Sequence, residues 1–288
     1  MTRPHALVGA SLGLLLFALA GCSNSPANGG PDATPTSAPA MFGHVHGLGV
    51  NPSDNRLYVA SHLGVFRQTS SGFERIADRY QDTMAFTVIG DDTFLASGHP
   101  DLRETDKPGH LGLIKSTDAG NSWKALSLEG KSDFHALEPA GDRLYGYDSN
   151  DGTLKVTQDQ QDWARVQRLR GLVDLAVNPT DLGDLLVTTN TGLLRRMNED
   201  FAIPPVPDAP PLVLIDWPHA SLLVGASPDG SVFRSRDKGG TWQEVGQVEG
   251  TPEALDVLPG AWHLATDRGI LKSSDEGRNW TGVTTAPH

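Results

Sequence analysis

Six short apolar strands recur along this chain at steps of 37 to 50 residues: "RLYVAS" near Leu57, "TFLASG" near Phe94, "RLYGYD" near Leu144, "DLLVTT" near Leu185, "SLLVGA" near Leu222 and "AWHLAT" near Trp262. An apolar strand and a Gly/Pro/Asp/Asn turn precede each one, as in "GLGVNPSDN" and "LAVNPTDLG". A third strand follows ("GVFRQT", "LGLIKST", "GSVFRSR"), then a fourth ("FERIA", "WKALSL", "WQEVGQ"). Short strands broken by such turns are an all-β pattern. Four strands in about 40 residues, repeated, are the signature of a β-propeller blade. The count gives an all-β, six-bladed β-propeller of four-stranded antiparallel blades, with seven blades as the alternative. No strand is left over, so each blade is expected to be self-contained.

The repeat starts only at Phe42, and the residues before it read differently. Residues 1–22 hold one early arginine, an apolar run from Ala6 to Ala20 and then Gly21-Cys22. So short a run with a small-residue end is an export signal rather than a membrane span. Leu19-Ala20-Gly21-Cys22 resembles the lipobox of bacterial lipoproteins, which implies lipidation of Cys22 and a protein held on the extracytoplasmic side of the cell membrane. Residues 23–41 are mostly Pro, Gly, Ser, Ala and Thr, with almost nothing to bury, and read as a disordered tether. The propeller then takes residues 42–288. Cys22 is the only cysteine, so no disulfide is available and stability rests on core burial.

The 22 basic and 35 acidic residues beyond the leader leave a net charge of −13. Such a surface repels phosphate backbones, which argues against a nucleic-acid partner, and leaves membrane attachment to the lipid alone. The partners left are the membrane through its anchor, and a small ligand, a metal or an extracytoplasmic protein.

Three units carry one octet between their third and fourth strands: "STDAGNSW" (Ser116–Trp123), "SRDKGGTW" (Ser235–Trp242) and "SSDEGRNW" (Ser273–Trp280). This frame resembles the Asp-box, or BNR repeat, of sialidases and sortilin-type receptors, where it is a turn at the blade's outer edge. The residue types suit a turn: the carboxylate accepts backbone N–H bonds, Gly120, Gly239 or Gly240, and Gly277 supply positive φ, and the tryptophan buries a flat surface. Blade 3 keeps a shortened copy, "TQDQQDW", while blades 1 and 4 keep only Phe73 and Phe201. A motif that is whole three times and eroded three times reads as architecture rather than catalysis.

Function is then expected on the opposite face, where the first strands begin and strands two and three are joined. His44, His46, His62, His99, His110 and His135 all map there, within blades 1 to 3. Three or four imidazoles around a cavity suit a transition metal, zinc or copper. The longest insertion, Gly98–Gly112, adds Asp101, Arg103, Glu104 and Asp106 as a ligand loop beside them.

Two other functions compete. Asp-box propellers are often sialidases, which implies a glycoside hydrolase, but the Arg-Ile-Pro motif of that family is missing: Ala77 stands where its proline would be. Tyr147 beside Asp148 is the only fair nucleophile pair, and nothing selects a carboxylate pair from Asp101, Glu104, Asp106, Asp148 and Asp151. "HVHGLGVNP", "LYVASHLGVF" and "LASGHPDLR" resemble a group of bacterial, chiefly actinobacterial, lipoproteins with BNR repeats and a glycosylhydrolase-like label. That resemblance implies fold and location, not a reaction. The third class is a protein-interaction scaffold.

Overall fold

The computed structural model describes residues 41–197 and 202–283. The leader, Cys22 and all but the last residue of the expected tether lie outside the described residues. What is described is a six-bladed β-propeller built almost without helix.

Blade 1 comprises β1 (Val45–Asn51), β2 (Arg56–Ser61), β3 (Gly64–Thr69) and β4 (Gly72–Arg75). Blade 2 has β5 (Asp82–Gly90), β6 (Thr93–His99), β7 (Leu113–Ser116) and β8 (Lys124–Ser127). Blade 3 has β9 (Phe134–Ala140), β10 (Arg143–Asp148), β11 (Thr153–Thr157) and β12 (Ala164–Arg168). Blade 4 has β13 (Leu172–Val177), β14 (Leu185–Thr189) and β15 (Gly192–Arg196), and an antiparallel bridge from Leu194 to Pro205 marks its outer edge. Blade 5 has β16 (Leu214–His219), β17 (Leu222–Ala226), β18 (Ser231–Ser235) and β19 (Gln243–Gln247). Blade 6 has β20 (Pro252–Leu258), β21 (Ala261–Thr266), β22 (Gly269–Ser273) and β23 (Thr281–Gly282). Within every blade the strands pair antiparallel in chain order, and among the described residues no blade borrows a strand from another.

The second strands are apolar along most of their length because they are buried on both sides. Successive side chains point to opposite faces of a strand. In β6, Phe94 and Ala96 pack toward blade 1 while Leu95 packs toward blade 3. In β14, Leu185 and Val187 pack toward blade 3 while Leu186 packs toward blade 5. The core is thereby divided among the blade interfaces. Phe42, Leu48, Val59 and Phe66 meet Ala254, Ala265 and Ile270 where blade 1 meets blade 6, so apolar packing closes the ring. Met41 packs against this same cluster.

The three octets fold into one turn. Ser116 Oγ accepts the Gly120 N–H at 2.8 Å and donates to Asp118 Oδ1 at 2.8 Å, and Asp118 Oδ1 accepts the Ser122 N–H at 2.9 Å. Ser235, Asp237, Gly239 and Thr241 repeat this pattern, as do Ser273, Asp275, Gly277 and Asn279. Gly120, Gly239 and Gly277 stand at φ 84, 84 and 81, the left-handed region that glycine adopts without strain. Of the two glycines in the blade 5 octet, it is therefore Gly239 that turns the chain. In blade 3, Gln160 takes the left-handed position at φ 63, and Thr157 and Asp159 accept the same kinds of backbone bond. The turn is a local hydrogen-bonding device joining the third strand to the fourth, repeated without reference to any cavity.

Candidate functional site

A β-bulge positions the site. In β1 the register with β2 slips between Val45 and Gly47, so His46 has no partner. The same slip leaves out Met84 in β5, His135 in β9, Val173 in β13 and Glu253 in β20. A bulge re-aims the extra side chain. All five of these residues line a central channel of about 690 Å³.

The registers also align the blades with one another. Val45, Thr83 and Phe134 occupy one position, each just before its bulge. His44, Asp82 and Asp133 therefore correspond, as do the residues at the ends of the second strands: His62, His99 and Ser149. Chemistry-bearing residues of neighbouring blades thus converge in the crevices between them.

The six histidines fall into two clusters. In the crevice between blades 1 and 2, one ring nitrogen each from His44, His46 and His62 lies within 4.8 Å of the others. His46 Nε2 is 3.3 Å from His62 Nδ1, which is 2.9 Å from Asp82 Oδ1. Glu253 stands 3.8 Å from His44 Nε2 and accepts the Val45 N–H at 2.9 Å. Burial, reinforced by the charges of His44, His62 and His135, lowers the His46 pKa to about 3, so its imidazole is neutral at physiological pH.

The second cluster lies between blades 2 and 3 and gathers His99, His110 and Asp133 within 4.8 Å. His135 Nε2 approaches Asp133 Oδ2 to 3.0 Å. Burial pushes the Asp133 carboxyl up, but His135, the Ser149 hydroxyl and His99 outweigh it and its pKa falls below the usual value.

The insertion between His99 and His110 contributes differently from expectation. Asp101 accepts the backbone N–H groups of Tyr80 and Arg103 and pairs with the Arg103 guanidinium, which holds its carboxyl below the usual range. Glu104 pairs with Arg79 at 2.7 Å and Lys107 at 3.1 Å, and Asp106 is exposed. These charges pin the loop to the start of blade 2, and the loop's donor to the cluster is His110. The hydrolase candidates are engaged elsewhere: Tyr147 is buried between blades 3 and 4, and Asp148 binds Lys155 at 2.5 Å.

The sequence reading missed two features. Asp133 is one, although its spacing from His135 copies that of His44 from His46. The other is a set of carboxylates inside the channel: Glu138, Asp174, Asp216 and Asp256, on the innermost strands of blades 3 to 6. Burial raises the Asp174 pKa to about 6. Burial and then the charge of Asp256 raise Asp216, while burial and then Asp216 and Asp174 raise Glu138. Asp174 accepts the Ile215 N–H at 2.9 Å and Asp216 the Val257 N–H at 2.8 Å, so these carboxyls link consecutive inner strands.

Fold and site together define a six-bladed β-propeller with clustered imidazoles at one mouth of its channel. No protein-family model matches the chain, and no curated relative was found. Solved structures share its fold. One described as "YCF48 bound to D1 peptide" is 15% identical with a TM-score of 0.54, over 86% of this chain and 83% of that one. The GH74 xyloglucanase of Xanthomonas campestris is 17% identical with a TM-score of 0.53, over 84% of this chain but only 38% of the enzyme. Virginiamycin B lyase of Staphylococcus aureus is 13% identical with a TM-score of 0.56, over 85% of each chain. At such identities the likeness is one of fold alone.

Proposed function

We propose that this chain is an extracytoplasmic propeller, held to the cell membrane through a lipid on Cys22, that binds a transition-metal ion, zinc or copper, in the crevice between blades 1 and 2. The supporting observation is the convergence of His44, His46 and His62 nitrogens within 4.8 Å, with Asp82 beside them. An ionised carboxylate can only accept, so the contact to Asp82 Oδ1 places a proton on His62 Nδ1, and a metal ion ligated there takes the place of that proton. Neutral imidazole is the form that ligates, and His46 is held in it by burial. Asp82 and Glu253 supply the negative charge that a divalent ion brings into balance.

Isothermal titration of the full chain in detergent with Zn²⁺ and with Cu²⁺ tests this reading. Binding is expected to weaken by about 10- to 100-fold or more in His46→Ala, the range seen when even an indirect partner of a metal ligand is lost. Undiminished binding in His46→Ala and His62→Ala, or none in the wild type, refutes it.

A further inference from the structure

The crevice between blades 2 and 3 carries an arrangement that protein groups alone leave unbalanced. Asp133 Oδ2 lies 3.0 Å from His135 Nε2, 3.9 Å from His99 Nε2 and 4.0 Å from His110 Nδ1. The Asp133 side chain is 8% exposed, and its second oxygen, Oδ1, is buried with no hydrogen-bond partner. His110 Nδ1 is buried and unpartnered as well. An orphaned carboxylate oxygen and an orphaned imidazole nitrogen in one crevice are each costly unless something else satisfies them.

The tautomer of His99 sharpens the point. His99 Nδ1 is 2.7 Å from the Gly109 carbonyl oxygen, which can only accept, so Nδ1 carries the proton. In neutral His99 the lone pair is then on Nε2, the atom that faces Asp133. Facing a carboxylate 3.9 Å away, that nitrogen either takes up a second proton or offers its lone pair to a cation held between the two. A backbone carbonyl fixing the far nitrogen of an imidazole is also the usual support of a metal-ligating histidine. Around a tetrahedral ion with bonds of about 2.0–2.1 Å, donor atoms lie roughly 3.3 Å apart; here Asp133 Oδ2 stands 3.9 and 4.0 Å from the His99 and His110 nitrogens.

We infer that His99, His110 and Asp133 bind a divalent ion of the zinc type, with His135 hydrogen-bonded to the Asp133 carboxylate, in a second site separate from the crevice of blades 1 and 2. Two imidazoles and one carboxylate, with a fourth position open to water, suit Zn²⁺, or Co²⁺ as its spectroscopic substitute. His110 makes the site depend on the loop that carries it, and Ser149, donating to Asp133 Oδ2 at 3.0 Å, orients the carboxylate. The site stands on its own residues and does not need the first crevice to be occupied.

The test is the zinc content of the full chain after equilibrium dialysis, with Co²⁺ absorption as the second readout. Two ions per chain are expected in the wild type. One is expected in His110→Ala, at a half-buried loop residue, and in Asp133→Asn. One is also expected in His46→Ala, and tetrahedral Co²⁺ bands are to survive in that variant but weaken in Asp133→Asn. A metal-free melting curve for each variant separates lost binding from lost folding. A single ion that disappears in His46→Ala but stays in His110→Ala and Asp133→Asn overturns the second site and leaves the first standing. A single ion that disappears in all three also overturns it, because the two crevices then form one site. An ion lost only in His110→Ala and Asp133→Asn upholds the second site and removes the first.

Discussion

Replacing Asp174 by asparagine should change stability by an amount whose sign reverses between acid and alkaline pH. The Asp174 carboxyl faces the channel from β13 and accepts the N–H groups of Ile215 and Leu175 at 2.9 Å each. Burial raises its pKa from 3.8 to about 6. The folded chain therefore keeps this proton up to about pH 6, while the unfolded chain releases it near 3.8. Its contribution is fully present below the unfolded value and is lost as pH rises through the folded one. A shift of two units corresponds to about 3 kcal/mol, an upper bound because Asp174 keeps part of its surface in channel water. Asparagine carries no charge to bury, but it loses one acceptor, at about 1 kcal/mol. Asp174→Asn should thus be less stable than wild type by about 1 kcal/mol at pH 4 and more stable by up to about 2 kcal/mol at pH 8. In a domain of this size that swing is worth about 6–12 °C in relative melting temperature. Calorimetry at the two pH values, with a chelator to keep metal out of the comparison, reads it directly. A melting difference that does not move between pH 4 and pH 8 would falsify the reasoning.

Two further perturbations probe other parts of the chain. Gly120→Ala places a Cβ at φ 84, 3.4 Å from Ile76 Cδ1, and should cost about 1–2 kcal/mol with no effect on metal content; an unchanged denaturation midpoint would show that the octet turn does not hold the blade edge. Cys22→Ala should move the chain from the membrane fraction to the soluble extracytoplasmic fraction while leaving the fold intact, and retention in the membrane would rule out the lipid anchor.

The fold was legible because its signal is carried by the strands with least freedom. Strands such as β6 and β14 pack on both faces, so polar residues are excluded along most of their length, and their spacing gives the blade count directly. The octet was legible for a related reason: Ser, Asp and Gly at fixed spacing satisfy their own backbone. The site was legible only in outline. Placing six histidines on one face needs no more than knowing which strand ends share it. Dividing them between two crevices depends on the bulges at His46, Met84 and His135, which leave no mark in hydrophobic periodicity. Asp133 looked like an ordinary loop acid in "KSDFHAL", and only its alignment with His44 and Asp82 across blades gives it a partner. The channel carboxylates were hidden differently. Glu138, Asp174 and Asp216 are each flanked on both sides by apolar residues, and nothing local says whether that side chain meets solvent or the axis of the ring.

The extra residue in five of the six inner strands gives the channel mouth a chemistry that evolution can edit one position at a time. His46, Met84, His135 and Val173 stand outside the strand pairing, so exchanging any of them alters what the opening attracts without disturbing a ladder bond, whereas Glu253 also accepts the Val45 N–H and ties blade 6 to blade 1. A scaffold made this way can change its cargo faster than its shape.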